Sequence, residues 1–419
     1  MPTASRQRVD AMDEAARSAY AAGFDIKAID RDFLDDPFPF YRLLRERDPV
    51  HRMPGGGIFL ARWEDLQAVY RDARTYVSEK TAEFGPKFGV GTPLYRHHTT
   101  SLVFNDPPLH TRVRRLLAPA FTPRALALLQ PRFEAMVDRL LDRAAAQGGM
   151  DVVTEYAAAL PVEIIGDMLA IPHEERAPLR DWSLAILGAL EPMLTPAQHA
   201  SGNEAVAAFS DFLRRHIRRY RATPPAGFGQ VLGLLLAEGS DGDRLSEEEL
   251  VQNCIFLLNA GHETTTNLIG NGVGLLVAFP DEAERLRREP GLIDSAVEEF
   301  LRYESSNQLG NRRVAQATTL AGLALEPGTS ITLGIGAANR DPAQFPDPDR
   351  LDLGRTPNRH LAFGAGIHAC AGMTLARLEG RIAIGKLMQR FPRFAPAGPA
   401  KRGGRARFRG YLSYPVAFA

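Results

Sequence analysis

Apolar residues recur every three to four positions through most of this 419-residue chain, the spacing that places them on one face of a helix. Short segments rich in Val, Ile and Thr, such as 330–333, indicate strands. No internal repeat or long low-complexity tract interrupts the pattern. The sequence therefore predicts a mainly α protein with small β-sheets, its helices at 38–47, 63–72, 110–117, 123–147, 160–170, 178–190 and 197–222.

A longer helix is predicted over 247–279, where apolar residues occupy nearly all sides, as in a helix buried at the centre of a large protein. Ser246 and Glu249 have the spacing of a capping box at its start. The segment before it, 235–245, has the composition of a surface loop, and 222–227 that of a linker between helices. The long helix is not a membrane span, because its apolar run is interrupted by Asn253, Asn259, His262, Glu263 and Asn267.

Composition narrows the class of protein. The 50 basic and 50 acidic residues give a formal net charge of zero, so no overall field favours nucleic acid or an anionic membrane. Two cysteines, Cys254 and Cys370, argue against a secreted disulfide framework, and residues 1–13 lack the apolar region of a signal peptide. We expect a cytoplasmic monomer with no membrane anchor, a flexible N-terminal segment at 1–26 and a single domain at 27–419.

The candidate chemistry is concentrated in residues 363–372, which read FGAGIHACAG. Glycines let a backbone turn sharply and approach something large and flat, because they lack a Cβ. Cys370 comes just before a predicted helix, whose N-terminus favours a thiolate, and a thiolate is a soft metal ligand. A lone cysteine in a turn is more often a small buried hydrophobic residue. The glycine spacing is therefore what indicates a metal site.

This segment resembles the haem-binding loop of the cytochrome P450 family, whose cysteine is the axial ligand of the iron. The resemblance implies that Cys370 binds the iron of haem b and that Phe363, Gly364, His368 and Gly372 contact the cofactor. It extends from about residue 33 to the C-terminus. It implies the cytochrome P450 fold, an α-rich lobe plus a small β-rich lobe around a buried haem, so that 27–419 would be one catalytic domain.

Residues 260–265, AGHETT, lie in the middle of the long helix and resemble the oxygen-binding helix of the same family. Small residues leave room for a flat cofactor, and the Thr264 hydroxyl can bond to the carbonyl of Ala260 and open the helix locally. An ordinary buried helix with satisfied polar groups is the competing interpretation. By the resemblance, Ala260 lies against haem, while Glu263 and Thr264 form the acid–alcohol pair that delivers protons during oxygen activation.

Glu299 and Arg302 share a helix face at i, i+3, which in a generic protein would be a surface pair of little weight. They resemble the buried Glu-x-x-Arg motif of the family, which is completed by an arginine upstream of the haem loop. Arg355 occupies that place. The implied role of the three residues is a structural scaffold for the cysteine loop and not catalysis.

The two carboxylates of haem need cationic or hydrogen-bonding partners when they are buried. By resemblance these partners are His110 and Arg114, which share a helix face, together with Arg313 and His368. Each of them taken alone would be an ordinary surface cation. Because Arg312 precedes Arg313, the sequence leaves open which of the two faces the haem.

Electrons for such an enzyme must come from elsewhere, because two cysteines cannot hold a four-cysteine cluster and no flavin signature is present. The resemblance implies ferredoxin and ferredoxin reductase, with NAD(P)H as the ultimate donor. Basic residues near the cysteine loop are candidates for docking the acidic carrier, although each is equally compatible with an ordinary charged surface: Arg112, Arg115, Arg359, Arg377 and Arg381.

The resemblance places Phe256, Asn259, Ala260, Leu309 and Leu412 in the substrate pocket. Asn259 stands where the family generally has an apolar residue, and a buried amide needs partners. It is expected to bind a polar group of the substrate, unless a helix carbonyl or a water satisfies it. Substrate identity is not readable from these residues.

The implied function is a monooxygenase that inserts one oxygen atom of O2 into a C–H bond of a small organic substrate, by hydroxylation or O-dealkylation. Two alternatives remain. A peroxygenase driven by hydrogen peroxide usually lacks the acid–alcohol pair, and a non-catalytic haem-binding protein would need neither a proton relay nor substrate access.

Overall fold

The computed structural model describes residues 3–225, 230–237 and 244–418, which are mostly helical. The helices are α1 (Ala4–Asp10), α2 (Glu14–Gly23), α3 (Arg31–Asp35), α4 (Phe38–Arg47), α5 (Trp63–Arg71), α6 (Thr81–Phe88), α7 (Pro93–Thr100), α8 (Leu109–Leu117), α9 (Pro123–Gln147), α10 (Ala159–Met168), α11 (Leu179–Gly188), α12 (Pro196–Ala222), α13 (Gln230–Leu236), α14 (Glu247–Ala278), α15 (Pro280–Arg288), α16 (Ile293–Tyr303), α17 (Ile335–Ala338) and α18 (Met373–Arg390).

The strands are short, as expected from the sequence. They are β1 (Val50–Arg52), β2 (Ile58–Leu60), β3 (Tyr76–Val77), β4 (Gly149–Asp151), β5 (Leu309–Val314), β6 (Thr318–Leu320), β7 (Leu323–Leu325), β8 (Ser330–Gly334), β9 (Phe394–Pro396), β10 (Lys401–Arg402), β11 (Tyr411–Ser413) and β12 (Pro415–Phe418). In the described part of the chain, none of the helices combines the length and apolarity that crossing a bilayer requires.

The predicted long helix is confirmed as α14, which ends one residue before the predicted bound. Its capping box is also present: the Glu249 amide donates to Ser246 Oγ at 3.2 Å, and the Ser246 amide donates to Glu249 Oε2 at 2.8 Å. Of the predicted linker and loop that precede it, residues 226–229 and 238–243 lie outside the described residues.

The N-terminal segment, predicted to be flexible, contains helices α1 and α2 in the structure. Val9 and Phe24 are buried in an aromatic-rich core. Arg8 forms ion pairs with Asp30 and Asp32, its Nη1 lying 2.5 and 2.8 Å from their carboxylate oxygens. An alanine-rich sequence carries few large apolar residues, so the periodicity that marks a packed helix is weak here.

Contacts divide the chain into two compact units. The single catalytic domain expected over 27–419 stays a prediction. The first unit comprises Met1–Ser78, Gly270–Cys370 and Pro399–Tyr414. The second comprises Glu79–Ile269, Ala371–Gly398 and Pro415–Ala419. Helix α14 contributes residues to both.

The first unit is built on a five-stranded sheet in the order β1-β2-β8-β5-β3, antiparallel except for the parallel pair β2–β8. Two-stranded hairpins β6–β7 and β10–β11 complete its strands. Its aromatic core is dense: the Phe33 ring meets the Tyr41 ring edge-on at 5.4 Å, and Phe24 meets Phe59 in the same way at 5.1 Å. Edge-on packing of this kind is the favourable geometry for aromatic rings.

The second unit is helical, with a small sheet in the order β4-β12-β9. Helix α9 packs along α18, and ion pairs between Asp138 and Lys386 and between Asp142 and Arg390 line the surface of that contact. Between β4 and α10 the chain forms a π-helical turn, Val152–Ala157, in which the Ala158 amide donates to the carbonyl of Val153 at 2.9 Å.

A fully buried carboxylate organises the first unit. Glu299 and Arg302 on α16 have no solvent exposure, and the guanidinium binds both carboxylate oxygens at 2.8 Å. Arg355 Nε donates to Glu299 Oε1 at 3.2 Å, so the predicted three-residue scaffold is assembled. A two-pronged guanidinium–carboxylate pair fixes orientation as well as distance.

The same network holds the chain that leads to the cysteine loop. Arg302 donates to the carbonyls of Asn339 and Pro348 at 3.0 and 2.8 Å, and the Asp352 amide donates to Glu299 Oε1 at 3.0 Å. Asn358 Nδ2 donates to the other carboxylate oxygen at 3.1 Å. One carboxylate and its arginines therefore fix residues 339–358, which have no long helix or strand of their own.

Replacing Glu299 with Gln should lower the free energy of unfolding by about 3–5 kcal/mol, because two guanidiniums lose their buried counter-charge. Urea denaturation followed by circular dichroism measures it. The exposed Glu284, which pairs with Arg287, is the matched control, and Glu284→Gln should cost less than about 1 kcal/mol. Equal losses in the two variants would show that Glu299 is not the central residue of this unit.

Candidate functional site

The segment 363–370 forms a tight turn in the first unit. The Cys370 amide donates to the carbonyl of Phe363 at 2.9 Å, and the Ala369 amide donates to that of Gly366 at 3.1 Å. Gly366 has φ +69°, and a Cβ on it would come within 2.0 Å of the carbonyl oxygen of Tyr70. Glycine is therefore required at Gly366 both by conformation and by the close approach of Tyr70.

The two cysteines have different surroundings. Cys370 is partly exposed, whereas Cys254 on α14 is completely buried. Burial raises the pKa of the Cys254 thiol to about 12, which makes it an inert, neutral side chain at physiological pH. Only Cys370 of the two combines accessibility with the glycine turn that the sequence singled out.

Between its first and last turns, helix α14 is buried except for one accessible stripe, formed by Phe256, Leu257, Ala260, Gly261 and Thr264. These residues are spaced at i, i+1, i+4, i+5 and i+8, so they lie on one face. The Thr264 hydroxyl donates to the carbonyl of Ala260 at 2.6 Å, as predicted. The helix is nevertheless continuous through this point and shows no local opening.

Glu263 lies next to this stripe and is almost fully buried, at 6% exposure. The predicted acid and alcohol are thus neighbours in sequence but differ in accessibility: the carboxyl is inside the protein and the hydroxyl is on the accessible face. In the predicted proton relay, the acid would therefore lie toward the interior of the protein and the alcohol toward the accessible stripe.

The predicted cationic partners occupy separate elements. On α8, His110 is buried and Arg114 is half-buried on the same face. Arg112 on that helix forms an ion pair with Glu249, so this arginine is already used within the second unit. In the cysteine turn, His368 is half-buried.

The structure distinguishes the two neighbouring arginines on β5. The Arg312 guanidinium lies 5.3 Å from the ring centre of Tyr70 and donates to the carbonyl of Asn311 at 2.7 Å. Because side chains alternate along a strand, the Arg313 side chain lies on the opposite face of the sheet. Arg312 is thus engaged with Tyr70, and Arg313 is the candidate for contact with a cofactor.

The five residues expected in the substrate pocket divide into two groups. Phe256 and Ala260 are on the accessible stripe of α14, and Leu412 is 41% exposed. Asn259 and Leu309 are buried, at 2% and 0% exposure. Leu309 belongs to the aromatic-rich core of the first unit. Its place in the substrate pocket stays a prediction.

Asn259 points away from the accessible stripe, one position along the helix from Ala260 and about 100° around its axis. Neither its amide nitrogen nor its amide oxygen has a hydrogen-bond partner among the described residues, and both atoms are inaccessible. The structure therefore does not support direct contact between Asn259 and a substrate on that stripe. An internal water is the physical alternative for such an amide.

The side chains present suit a metal that is held mainly by a prosthetic group and takes few ligands from the protein. Among the described residues, no group of three or more His, Cys, Asp or Glu side chains is arranged to hold a metal ion. A single thiolate is, however, what a haem iron takes from the protein in thiolate-ligated enzymes. The partly exposed Cys370 on its glycine turn fits such a group.

A model of the Cytochrome P450 family matches residues 181–399 of this sequence, slightly more than half of the chain. The chain belongs to the cytochrome P450 family. The vitamin D(3) 25-hydroxylase of Pseudonocardia autotrophica is 38% identical over 376 residues, which cover 87% of this chain and 89% of the relative.

Solved structures of cytochromes P450 agree with the fold. P450BioI in complex with hexadec-9Z-enoic acid-ligated acyl carrier protein superposes with a TM-score of 0.87 at 33% identity, covering 93% of this chain and all of that one. CYP109E1 from Bacillus megaterium in complex with testosterone gives a TM-score of 0.84 at 30% identity, covering 93% and 100%. The mainly helical fold and the class of enzyme, an oxidoreductase of a haem-binding family, follow from these similarities.

The sequence did not reveal the residues that support the site. Tyr70, on α5, packs against the cysteine turn. Ile165, on α10, packs so closely on α14 that a Cβ added to Gly261 would lie 2.4 Å from Ile165 Cδ1. Neither belongs to a motif. Their only signal in the sequence is the glycine opposite each of them, which indicates a close approach without naming the partner.

Thiol labelling of the cofactor-depleted P450 should modify Cys370 and leave Cys254 unmodified, because Cys370 is partly exposed, whereas Cys254 is completely buried and burial raises the pKa of its thiol to about 12. Peptide mass spectrometry after reaction with an alkylating reagent identifies the site. Loading with haem should protect Cys370, and Cys370→Ala should abolish labelling. Modification of Cys254 at a comparable rate would contradict the assigned environments.

Proposed function

We propose that this cytochrome P450 is a monooxygenase that inserts one oxygen atom of O2 into a C–H bond of a small organic substrate, by hydroxylation or O-dealkylation. The observation that supports this most directly is the position of Thr264, whose hydroxyl is on the accessible stripe of α14 beside the buried Glu263. A haem carrier has no use for this pair, and a peroxygenase receives its oxygen already reduced.

Haem b bound through a thiolate supplies the oxygen chemistry, because the thiolate donates electron density that favours O–O cleavage. We propose that Cys370 is its ligand and that His110, Arg114, Arg313 and His368 meet its carboxylates. The surfaces proposed to contact the ring are Ala260, Phe363, Gly364 and Gly372. The protein's own contribution is to orient the cofactor and the substrate and to hold the protons that the reaction needs.

Glu263 and Thr264 are proposed to be the catalytic proton donors. The Thr264 O–H donates to the carbonyl of Ala260 at 2.6 Å, so the lone pairs of its oxygen remain available to accept a proton from a donor on the Glu263 side. A hydroxyl that accepts on one side and releases a proton on the other passes it without changing its own charge. The buried carboxyl is the proposed reservoir.

Glu263→Gln and Thr264→Ala should each reduce product formation per electron consumed by roughly 10²-fold, with a matching release of hydrogen peroxide, because proton transfer fails. Oxygen uptake, peroxide and product are measured together with a reconstituted electron supply. Unchanged coupling in both variants would remove the proton-delivery role. Full turnover of the wild-type protein with hydrogen peroxide alone would favour the peroxygenase alternative.

We propose that electrons come from NAD(P)H through a ferredoxin reductase and a ferredoxin. Basic residues could attract an acidic carrier; Arg115 and Arg359 are exposed, and Arg377 and Arg381 are half-buried on α18. Arg112 is a weaker candidate than the sequence suggested, because its guanidinium is paired with Glu249. Cytoplasmic location and a monomeric state belong to the same proposal.

For the substrate we propose a mainly apolar molecule. The side chains of the accessible stripe of α14 are apolar or small apart from Thr264, whereas the polar Asn259 is turned away from it. Gln308 is fully buried, with its amide donating to the carbonyl of Ser305. The names of the relatives given above refer to vitamin D(3), to hexadec-9Z-enoic acid on an acyl carrier protein and to testosterone. All three are predominantly apolar molecules, which agrees with this stripe.

Arg313→Gln should weaken haem binding by about 10- to 100-fold, because a hydrogen bond to a charged group contributes about 1.5–3 kcal/mol. Titration of the cofactor-depleted protein with haemin measures it. Arg312→Gln is the matched control, and it should lower stability through the lost contact with Tyr70 while leaving haem affinity within about threefold. The reverse ranking would assign the haem-facing role to Arg312.

A further inference from the structure

The proton-relay segment of α14 is docked against α10 and the π-helical turn before it, all within the second unit. Gly261 marks the closest approach: a Cβ on it would lie 2.4 Å from Ile165 Cδ1. Two carbonyls, those of Ala157 and Ala158, mark the junction of the turn and α10, and Thr266 Oγ1 on α14 lies 3.4 Å from the first of them. The junction therefore faces the segment of α14 that contains Glu263 and Thr264.

Pro161 leaves the carbonyl of Ala157 without its usual helical hydrogen-bond donor. In an uninterrupted α-helix the amide of residue 161 would donate to the carbonyl of Ala157, but proline has no N–H. A carbonyl that loses its helical donor in a buried place needs another one. The sequence Leu160-Pro161 thus prepares an acceptor on the surface that meets α14.

Thr266 is the side chain that reaches this acceptor. Its Oγ1 lies 3.4 Å from the carbonyl oxygen of Ala157 and 2.9 Å from that of His262, one turn earlier on α14. The hydroxyl has one proton, so it is shared between the two carbonyls or alternates between them. Either way, a single buried side chain, 7% exposed, connects the relay helix to the junction.

His262 packs on the same side. It is 1% exposed, and burial lowers the pKa of its imidazole to about 4, with the Arg180 guanidinium acting in the same direction and the backbone of Ala158 opposing it. The ring is therefore neutral at physiological pH, and it presents an uncharged face to the junction. His262 and Thr266 flank the acid–alcohol pair from both ends on one face of the helix.

The π-helical turn is itself anchored on its far side. Tyr156 is fully buried, and its hydroxyl donates to the carbonyl of Ala383 on α18 at 2.7 Å. Asp151 caps the turn by accepting from the amides of Val153 and Thr154 at 2.9 and 3.0 Å. A turn held at both ends can serve as a rigid support for a neighbouring helix.

We propose that Thr266 is a positioning residue, which holds Glu263 and Thr264 in register for proton delivery through its hydrogen bond to the Pro161-freed carbonyl of Ala157. The proposal rests on the proposed monooxygenase function, in which that pair donates protons. It assigns to Thr266 no contact with substrate or cofactor, since its side chain is on the face of α14 opposite Thr264.

The test compares Thr266→Val, which keeps the shape and removes the hydroxyl, with Thr266→Ser, which keeps the hydroxyl. Thr265→Val is the control, because Thr265 is equally buried and is not hydrogen-bonded to the junction in the described structure. Amide hydrogen exchange over residues 157–163 and 260–268 is measured by mass spectrometry in haem-loaded protein. Peroxide released per NAD(P)H, and the solvent isotope effect on product formation, are measured on the same samples.

We expect Thr266→Val to speed exchange in both segments several-fold, to raise the peroxide fraction about two- to fivefold and to change the solvent isotope effect, while Thr266→Ser and Thr265→Val stay near wild type. Wild-type exchange and coupling in Thr266→Val would overturn the proposal, and so would equal damage in Thr266→Ser. If Thr264→Ala raises the peroxide fraction and Thr266→Val does not, only the positioning role of Thr266 fails. If Thr264→Ala has no effect either, the proposed monooxygenase function fails.

Discussion

The buried carboxylate of Glu299 is the constraint on which the first unit depends. A carboxylate without solvent is tolerable only if its charge is met and its oxygens are hydrogen-bonded, and here Arg302, Arg355 and two further donors from the following chain do both. Those donors come from residues that have little regular structure of their own. The network therefore fixes the path of the backbone toward the cysteine turn, which needs a defined position more than it needs local stability.

In the second unit, backbone geometry fixes the position of helix α14. A relay helix must be held firmly while one face stays accessible, so its contacts have to come from the other faces. Gly261 permits the close approach of Ile165, and Pro161 leaves an acceptor for Thr266. Neither glycine nor proline is chemically active. Each one works by what it lacks, a Cβ in one case and an N–H in the other.

Much of this was predictable from the sequence, and the failures have a common cause. Helix α14, its capping box and the Thr264 hydrogen bond depend on residues close in the chain, so local pattern suffices. The burial of Asn259 and Leu309 was not predicted, because a shift of one residue turns a side chain by about 100° on a helix or to the other face of a strand. Which face becomes accessible is decided by tertiary packing, and no local pattern encodes it.

Two threonines on α14 show how the helix can be held firmly on one face and stay accessible on the other. Thr264 and Thr266 both donate to the carbonyl four residues earlier, but two positions along a helix place them about 200° apart. The same local hydrogen bond therefore occurs on the accessible face and on the buried one. On the buried face the hydroxyl also reaches Ala157 and has a fixed neighbour, whereas on the accessible face only the helix itself restrains it. A relay needs this asymmetry, because the group that passes a proton must be free to exchange partners while the helix that carries it must not move.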